Sequence, residues 1–306
     1  MLKNDLKKRL AKVDKVFNAD KLLQLEPDDK YIQSYYRASK IGYSLFYSSS
    51  AADRMYMGIS RDGAFKESDL LEAARTVEKY INKNTTNILE LATGRGATSA
   101  YLAKKYPSIE FDGIELSPAQ LHLAKQKAKK LPNYHPVAGD YHDLSRYKSQ
   151  SVDIAFVIEA LCYSTEKEKV YSEISRVLKK NGVFIIFDGY TTKARSKMSK
   201  EELMACRLTE KSMALRVFEG HKSAIKKAED SGFRVVSDEN VSDYIQPSLR
   251  RFERYAAKYF DHPRLARTVN IFISKKFIYN AIAGLLMPEV VGRGLLSYYI
   301  TVLEKK

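Results

Sequence analysis

The segment Ile88–Thr98, ILELATGRGAT, constrains the fold more than any other stretch of this chain. An apolar run ends on an acid, Glu90. Small residues follow at alternate positions, Ala92, Gly94 and Gly96, and a helical pattern starts at once in ATSAYLAKKY. This order predicts a strand, a tight turn and a helix start, with an acid at the strand end. Small residues let a ligand approach the backbone closely, and glycine accepts turn geometry that other residues resist. The carboxylate of Glu90 would repel a phosphate and attract a cationic or ammonium-bearing nucleotide.

The chain around this turn alternates in period. Strands are expected at 87–91, 110–114, 134–138, 152–158 and 182–187, and helices at 97–106, 118–130, 165–179 and 221–231. Strand and helix alternating at that spacing predict an α/β fold, doubly wound, with a mostly parallel sheet and helices on both faces. Two further apolar segments, 233–237 and 295–305, are expected to pair as edge strands. Before the core, residues 1–25 carry Leu2, Leu6, Leu10, Val13, Val16 and Phe17 at helical spacing with Lys between them, which reads as an amphipathic cap or lid helix. Residues 31–58 are rich in Tyr, and a helix is expected over 67–83. The organisation expected is an N-terminal helical cap at 1–84, a core at 85–245, a helical insert at 246–290 and a last core strand at 291–306. The insert mixes Arg with aromatics between Arg250 and Phe260, and its apolar stretch IFISKKFIYNAIAGLLM suits a lid over an apolar ligand.

Composition sets bounds. A chain of 306 residues can bury one large core, and no apolar run reaches the roughly 18 residues of a spanning helix. The N-terminus lacks a signal-peptide pattern, so a cytoplasmic location is expected, with peripheral contact to an anionic membrane through the insert as a further expectation. Two cysteines, Cys162 and Cys206, make neither a disulfide framework nor a zinc site, and no metal site is expected. The net charge of +15 admits nucleic acid, anionic membrane or an acidic substrate without choosing among them.

Three more segments carry chemistry. In FDGIELSPAQL a strand ends on Glu115, about 20 residues beyond the glycine turn, the spacing at which an acid reaches ribose hydroxyls. In VAGDYHDL, Asp140 would accept from the exocyclic amine of adenine and Tyr141 would cover the ring, although Asp140 at a turn is equally a simple cap. In SVDIAFVIEALCYS, Asp153 starts a buried strand and Ile158-Glu159-Ala160-Leu161 leaves it beside the first strand, across the switch point where ligands bind. RVLKKNG then ends a helix at Gly182, and a fifth strand ends at Asp188.

On these motifs the chain resembles class I S-adenosylmethionine-dependent methyltransferases across roughly residues 85–305. Glu90 to Gly96 looks like the family's acid-x-Gly-x-Gly-x-Gly motif, with Ala92 in place of the first glycine. RVLKKNG is similar to its "VLKPGG". The resemblance implies a Rossmann-like seven-stranded sheet of order 3-2-1-4-5-7-6 with the last strand antiparallel, S-adenosyl-L-methionine as cofactor and S-adenosyl-L-homocysteine as product. By resemblance, Glu90, Ala92, Gly94 and Gly96 frame the methionine part, Glu115 binds ribose, Gln120 lines the adenine pocket, Asp140 and Tyr141 contact adenine, and Leu116, Gly139 and Ile158 complete the cofactor contacts. IEALCYS looks like the "IEATCH" of sterol methyltransferases, and Tyr35-Tyr36 like their "YY". RMYMG at 54–58 keeps only the glycine of a "HYG" element. The small-molecule branch that includes sterol, tocopherol and cyclopropane-fatty-acid enzymes is therefore the one it looks most like.

The reaction implied is methyl transfer to a hydrophobic small molecule, isoprenoid- or lipid-like, by C- or O-methylation. Glu159 is the expected catalytic group, as a base or as a stabiliser of a carbocation, with Tyr163, Tyr35 and Tyr36 as further candidates for hydroxyls or aromatic faces and Tyr190, His142 and His221 behind them. A structural role for Glu159, ordering its loop, stands beside this. Three rival readings stand beside this one. A dinucleotide dehydrogenase fits poorly because its loop would face a pyrophosphate across Glu90. A nucleic-acid methyltransferase lacks its Asn/Asp-Pro-Pro-aromatic or Pro-Cys motif after the fourth strand, although the Arg-aromatic mix at 250–260 could stack bases. A non-catalytic binding protein on the same fold is the third.

Overall fold

Strand VDIAFVI, 152–158, forms the centre of the molecule because its residues can be buried on both faces of a sheet. The computed structural model describes residues 2–28, 30–32, 34, 35 and 53–306. In chain order the elements are α1 (Leu2–Asp14), α2 (Ala19–Leu23), a 3-10 turn (Glu67–Leu71), α3 (Glu72–Glu78), β1 (Asn87–Leu91), α4 (Ala97–Lys105), β2 (Glu110–Glu115), α5 (Pro118–Ala128), β3 (Tyr134–Ala138), β4 (Val152–Ile158), α6 (Lys167–Val177), β5 (Leu178–Thr191), α7 (Lys200–Ser212), α8 (His221–Asp230), β6 (Phe233–Asn240), α9 (Ser242–Asp261), α10 (Pro263–Phe272), α11 (Lys275–Ile278), α12 (Asn280–Gly292) and β7 (Leu296–Lys305).

The sheet has the order β3-β2-β1-β4-β5-β7-β6. Strands β1 to β5 pair in parallel, while β7 runs antiparallel to both β5 and β6. The expected architecture is therefore the observed one, including β6 at the edge and β7 inside the sheet. Side chains alternate between two apolar layers. Ile88, Phe111, Phe156, Phe187 and Val302 face one layer, which the helices α1, α7, α9 and α12 complete. Leu89, Ala155, Val157, Phe184 and Leu303 face the other, under α6. Burying each large apolar side chain contributes about 1.5–3 kcal/mol.

Several boundaries differ from the sequence reading, for local reasons. The expected helix 67–83 is a 3-10 turn plus α3, ending at Glu78. Beyond it, Thr85 Oγ1 accepts from Asn82 N and Asn82 Oδ1 accepts from Asn84 N, so side chains compete with the helical ladder. The expected helix at 1–25 is broken in two, because Asn18 caps α2 by accepting from Lys21 N. Its periodicity is real: Leu6, Leu10 and Val13 are buried. Strand β5 begins at Leu178, before the expected 182, because Val152 pairs with Leu178 and the register then shifts to Ile154 with Val183. Asn181 sits at φ 62 in that shift. Helix α7 was not expected; its start carries a capping box of Ser199 and Glu202.

Candidate functional site

The glycine turn is built as the spacing predicts, and each small residue has its own reason. Ala92, Gly94 and Gly96 lie at φ 50, 58 and 71, in the left-handed region. A Cβ on Gly96 would stand 2.3 Å from the Tyr134 hydroxyl, so this glycine serves packing between the turn and β3. A Cβ on Gly94 would meet nothing nearer than the Ala92 carbonyl at 3.9 Å, so the space beside this residue is open. Gly139 resembles Gly96, since its Cβ would press on Ile114 Cδ1 at 2.6 Å.

Glu90 is buried and turned toward its own turn. Its Oε2 accepts from Thr93 Oγ1 and Ser99 Oγ, each at 2.6 Å, which ties the strand end to the first turns of α4. Burial pushes its carboxyl up to about 7 against those hydrogen bonds. Glu115 lies at the end of the neighbouring strand. Its Oε2 accepts from Gly94 N at 2.8 Å and its Oε1 from Ser117 N at 2.7 Å; burial still holds its pKa above the ordinary range. Leu116, next to it, is 50% exposed and offers a flat apolar face. Arg95 is buried and paired with Asp53, and it donates to Gln120 Oε1 at 3.3 Å, so Gln120 is engaged at this wall. The donor set is an open turn, a carboxylate and an apolar face, and the guanidinium of Arg95 at this wall is paired with Asp53 and Gln120. That suits a cationic nucleoside with a vicinal diol and fits a pyrophosphate badly.

In the loop after β3, Asp140 accepts from His142 N at 2.9 Å and pairs with His142 Nδ1 at 2.6 Å. The other ring nitrogen of His142 lies 2.7 Å from Ser164 Oγ. Tyr141 donates to the Ala160 carbonyl at 3.1 Å. These contacts fasten the loop after β3 to the loop after β4, which carries Glu159. His221 and Tyr190 lie elsewhere: His221 stacks on Tyr299 at 3.8 Å and pairs with Asp238, and Tyr190 packs edge-on against it.

Glu159 leaves β4 at φ 50, a conformation that costs an L-residue roughly 1–2 kcal/mol and clusters at functional sites. Its Oε1 accepts from Met57 N at 2.7 Å and from the Tyr298 hydroxyl at 3.0 Å. Burial, with a smaller push from Asp188, raises it to about 7. Asp188, at the end of the expected fifth strand, is the carboxylate that the sequence reading left without a role. It accepts from Gly189 N and Cys162 N, both at 2.8 Å, and burial raises its pKa too.

Both carboxylates and Tyr298 line a cavity of about 410 Å³. The rest of the wall is largely apolar, from Met55, Met57, Leu215, Phe218, Leu249, Phe252, Val269, Phe277, Met287 and Leu296. Tyr35 and Tyr163 also line it; their hydroxyls bond Asn280 and the Met213 carbonyl. Tyr36 lies outside the described residues. No Lys, Arg or His is among the described lining residues. The structure thus brings Glu159, Tyr163 and Tyr35 to one cavity, and adds Asp188, Tyr298 and Met57. Of these, Asp188 carried a signal, since it ends a strand in the same row as Glu159; Tyr298 and Met57 carried none.

A family model described as a methyltransferase domain matches residues 82–243, more than half of the chain. A demethylmenaquinone methyltransferase of Thermotoga maritima is 32% identical over 114 residues, 37% of this chain and 48% of that protein. The chain therefore spans about half the length of that curated relative. An S-adenosyl-L-methionine-dependent Diels-Alderase of Talaromyces variabilis is 25% identical over 246 residues, 74% of this chain and 81% of that one. Among solved structures, a cyclopropane synthase of Mycobacterium tuberculosis shares the fold with a TM-score of 0.72 at 13% identity, covering 92% of this chain and 100% of that one.

Proposed function

This chain belongs to the class I S-adenosylmethionine-dependent methyltransferases, and on that premise we propose that it transfers a methyl group to a neutral, hydrophobic small molecule. The observation that carries the acceptor class is the wall of the cavity. It is apolar, its ionisable groups are the carboxylates of Glu159 and Asp188 with weakly acidic Tyr and Cys side chains, and no basic residue is among its described members. A phosphate, diphosphate or nucleic-acid backbone would lose its hydration there and meet no compensating cation. An isoprenoid- or lipid-like acceptor loses only apolar hydration.

When bound, S-adenosylmethionine supplies a methyl group already activated on a sulfonium. Glu115 would hold the ribose hydroxyls, the open side of Gly94 would admit the methionine part, and Leu116 with Tyr141 would flank the adenine. Glu90 supports this site by holding the turn. In the cavity, the chain's residues align the acceptor and exclude water. Glu159 keeps Oε1 in its two hydrogen bonds and has Oε2 for the acceptor. A carboxyl pushed up to about 7 is poised to take a proton near neutral pH. That proton comes from an oxygen acid in O-methylation, or from carbon after methylation of an alkene.

A second reading rests on coverage. The Diels-Alderase aligns over most of both chains, whereas the methyltransferase relative aligns over 114 residues. In that reading the same apolar cavity folds a polyene for cycloaddition. One experiment separates them: incubation with labelled S-adenosylmethionine and a panel of sterol, isoprenoid, fatty-acid, polyene and phenolic compounds, with RNA and isoprenoid diphosphates alongside. Label in a neutral apolar product supports methyl transfer. An unlabelled product isomeric with its substrate supports the cyclase. Label only in RNA or diphosphates overturns both.

A further inference from the structure

Helix α10 and the residue that follows it carry a group of exposed apolar side chains, of which only Ile273 also lines the cavity. Leu265 is 63% exposed, Ile271 77% and Phe272 83%, and Ile273 beyond them is 42% exposed. Leu265 and Phe272 are seven residues apart and so share one face of α10. Leaving such side chains in water forgoes the 1.5–3 kcal/mol that burying each would return, on the order given by transfer data. Scattered exposed apolar residues are ordinary; a contiguous group at one tip marks an interaction site.

The charge along this segment is one-sided, between Asp261, which pairs with Lys12, and Glu289. From His262 to Pro288 the sequence holds Arg264, Arg267, Lys275 and Lys276 and no Asp or Glu. Arg264 and Lys275 are exposed and make no ion pair among the described residues. Apolar side chains at the tip with cations at their flanks match the two layers of an anionic bilayer surface, acyl chains below and phosphates above. A second copy of this chain would bring the same cations against each other.

We propose that the tip formed by α10 and α11 docks this protein onto anionic membrane, with Ile271 and Phe272 entering the interface and Arg264 and Lys275 meeting lipid phosphates. Ile273 is both exposed here and part of the cavity wall, and Val269 and Phe277 of the same two helices line the cavity. The docking element and the acceptor chamber are therefore one piece of structure. The docking does not depend on which reaction the chamber hosts.

The test is cosedimentation of the full chain with vesicles of phosphatidylcholine alone and with phosphatidylglycerol added. Binding is expected to the anionic vesicles, weak binding to the neutral ones, and a fall with added salt. The double variant Ile271→Ser, Phe272→Ser should lose at least tenfold in partitioning, and Lys275→Gln about fivefold, at roughly one charge's worth of surface attraction. Both variants should keep the wild-type melting temperature and calorimetric cofactor affinity, because these residues are exposed and lie outside the cofactor site. No binding to anionic vesicles at low salt, or binding unchanged in the double variant, overturns the proposal. So does a concentration-dependent dimer, seen by sedimentation velocity, that the double variant abolishes.

Discussion

The hydroxyl of Tyr298 donates to Oε1 of Glu159 at 3.0 Å, joining residues 139 apart in the chain. Tyr298 stands on β7 opposite Gly189 of β5, and Glu159 leaves β4 on the other side of β5. The bond therefore spans the row of strand ends and holds Glu159 Oε1, with Met57 N as the second donor. One oxygen is fastened and the other belongs to the cavity.

Glu159→Gln should lower turnover at least about 100-fold while leaving calorimetric cofactor affinity within about twofold, the pattern of a lost proton acceptor. Tyr298→Phe should lower turnover less, because Met57 N still orients the carboxylate. Equal losses of turnover and affinity in Glu159→Gln would assign the residue to the cofactor site.

Asp188 raises the Glu159 pKa through its negative charge. Asp188→Asn should therefore move the acidic limb of the pH–rate profile to lower pH. The measurement is kcat against pH for wild type and variant, and an unmoved limb would separate the two carboxyls electrostatically.

Glu90 and Glu159 are both pushed up from 4.5 to about 7. Each binds its proton more tightly folded than unfolded, so its contribution to stability is full below pH 4.5 and is lost as pH rises through 7. Removing one such charge should stabilise the protein progressively from about pH 4.5 upward, with the full gain reached above about pH 7. Glu159→Gln is expected to raise Tm at pH 8, by up to roughly 3 kcal/mol in free energy, and to leave it nearly unchanged at pH 4.5. Thermal melts at the two pH values check the sign.

The two glycines of the turn should separate stability from binding. Gly96→Ala forces a methyl into Tyr134 at positive φ and should cost roughly 2–5 kcal/mol. Gly94→Ala meets open space and should cost only about 1–2 kcal/mol, for its φ, yet weaken cofactor binding at least tenfold. Denaturant unfolding and calorimetry on both variants give the comparison; equal binding losses would deny Gly94 its place at the ligand.

The parallel half of the fold was legible because its signals are local. Strand periodicity, the Gly94 turn and the acid of Glu115 each occupy a few consecutive residues, and their spacing along the chain sets their spacing in space. Boundaries failed where side chains compete with the backbone, as at Asn82 and Thr85, or where pairing slips, as between Val152 and Ile154. The tight packing of Gly96 against Tyr134 and of Gly139 against Ile114 was not legible, since only the sheet brings these neighbours near. The exposure of Phe272 was equally invisible, since an apolar helix reads alike whether buried or bare.

Amino-acid order alone thus dictated the alternating core, the nucleotide-facing turn and Glu159 at the end of the fourth strand. The folded chain decided the rest: that β7 carries Tyr298 to Glu159, that Asp188 shares the cavity, and that Leu249, Phe252 and Val269 close it with no cation in the described wall. The division has a physical cause. Periodicity and turn chemistry act over a few residues, whereas a chamber is made of side chains from distant segments whose burial and charge exist only once the sheet has assembled them.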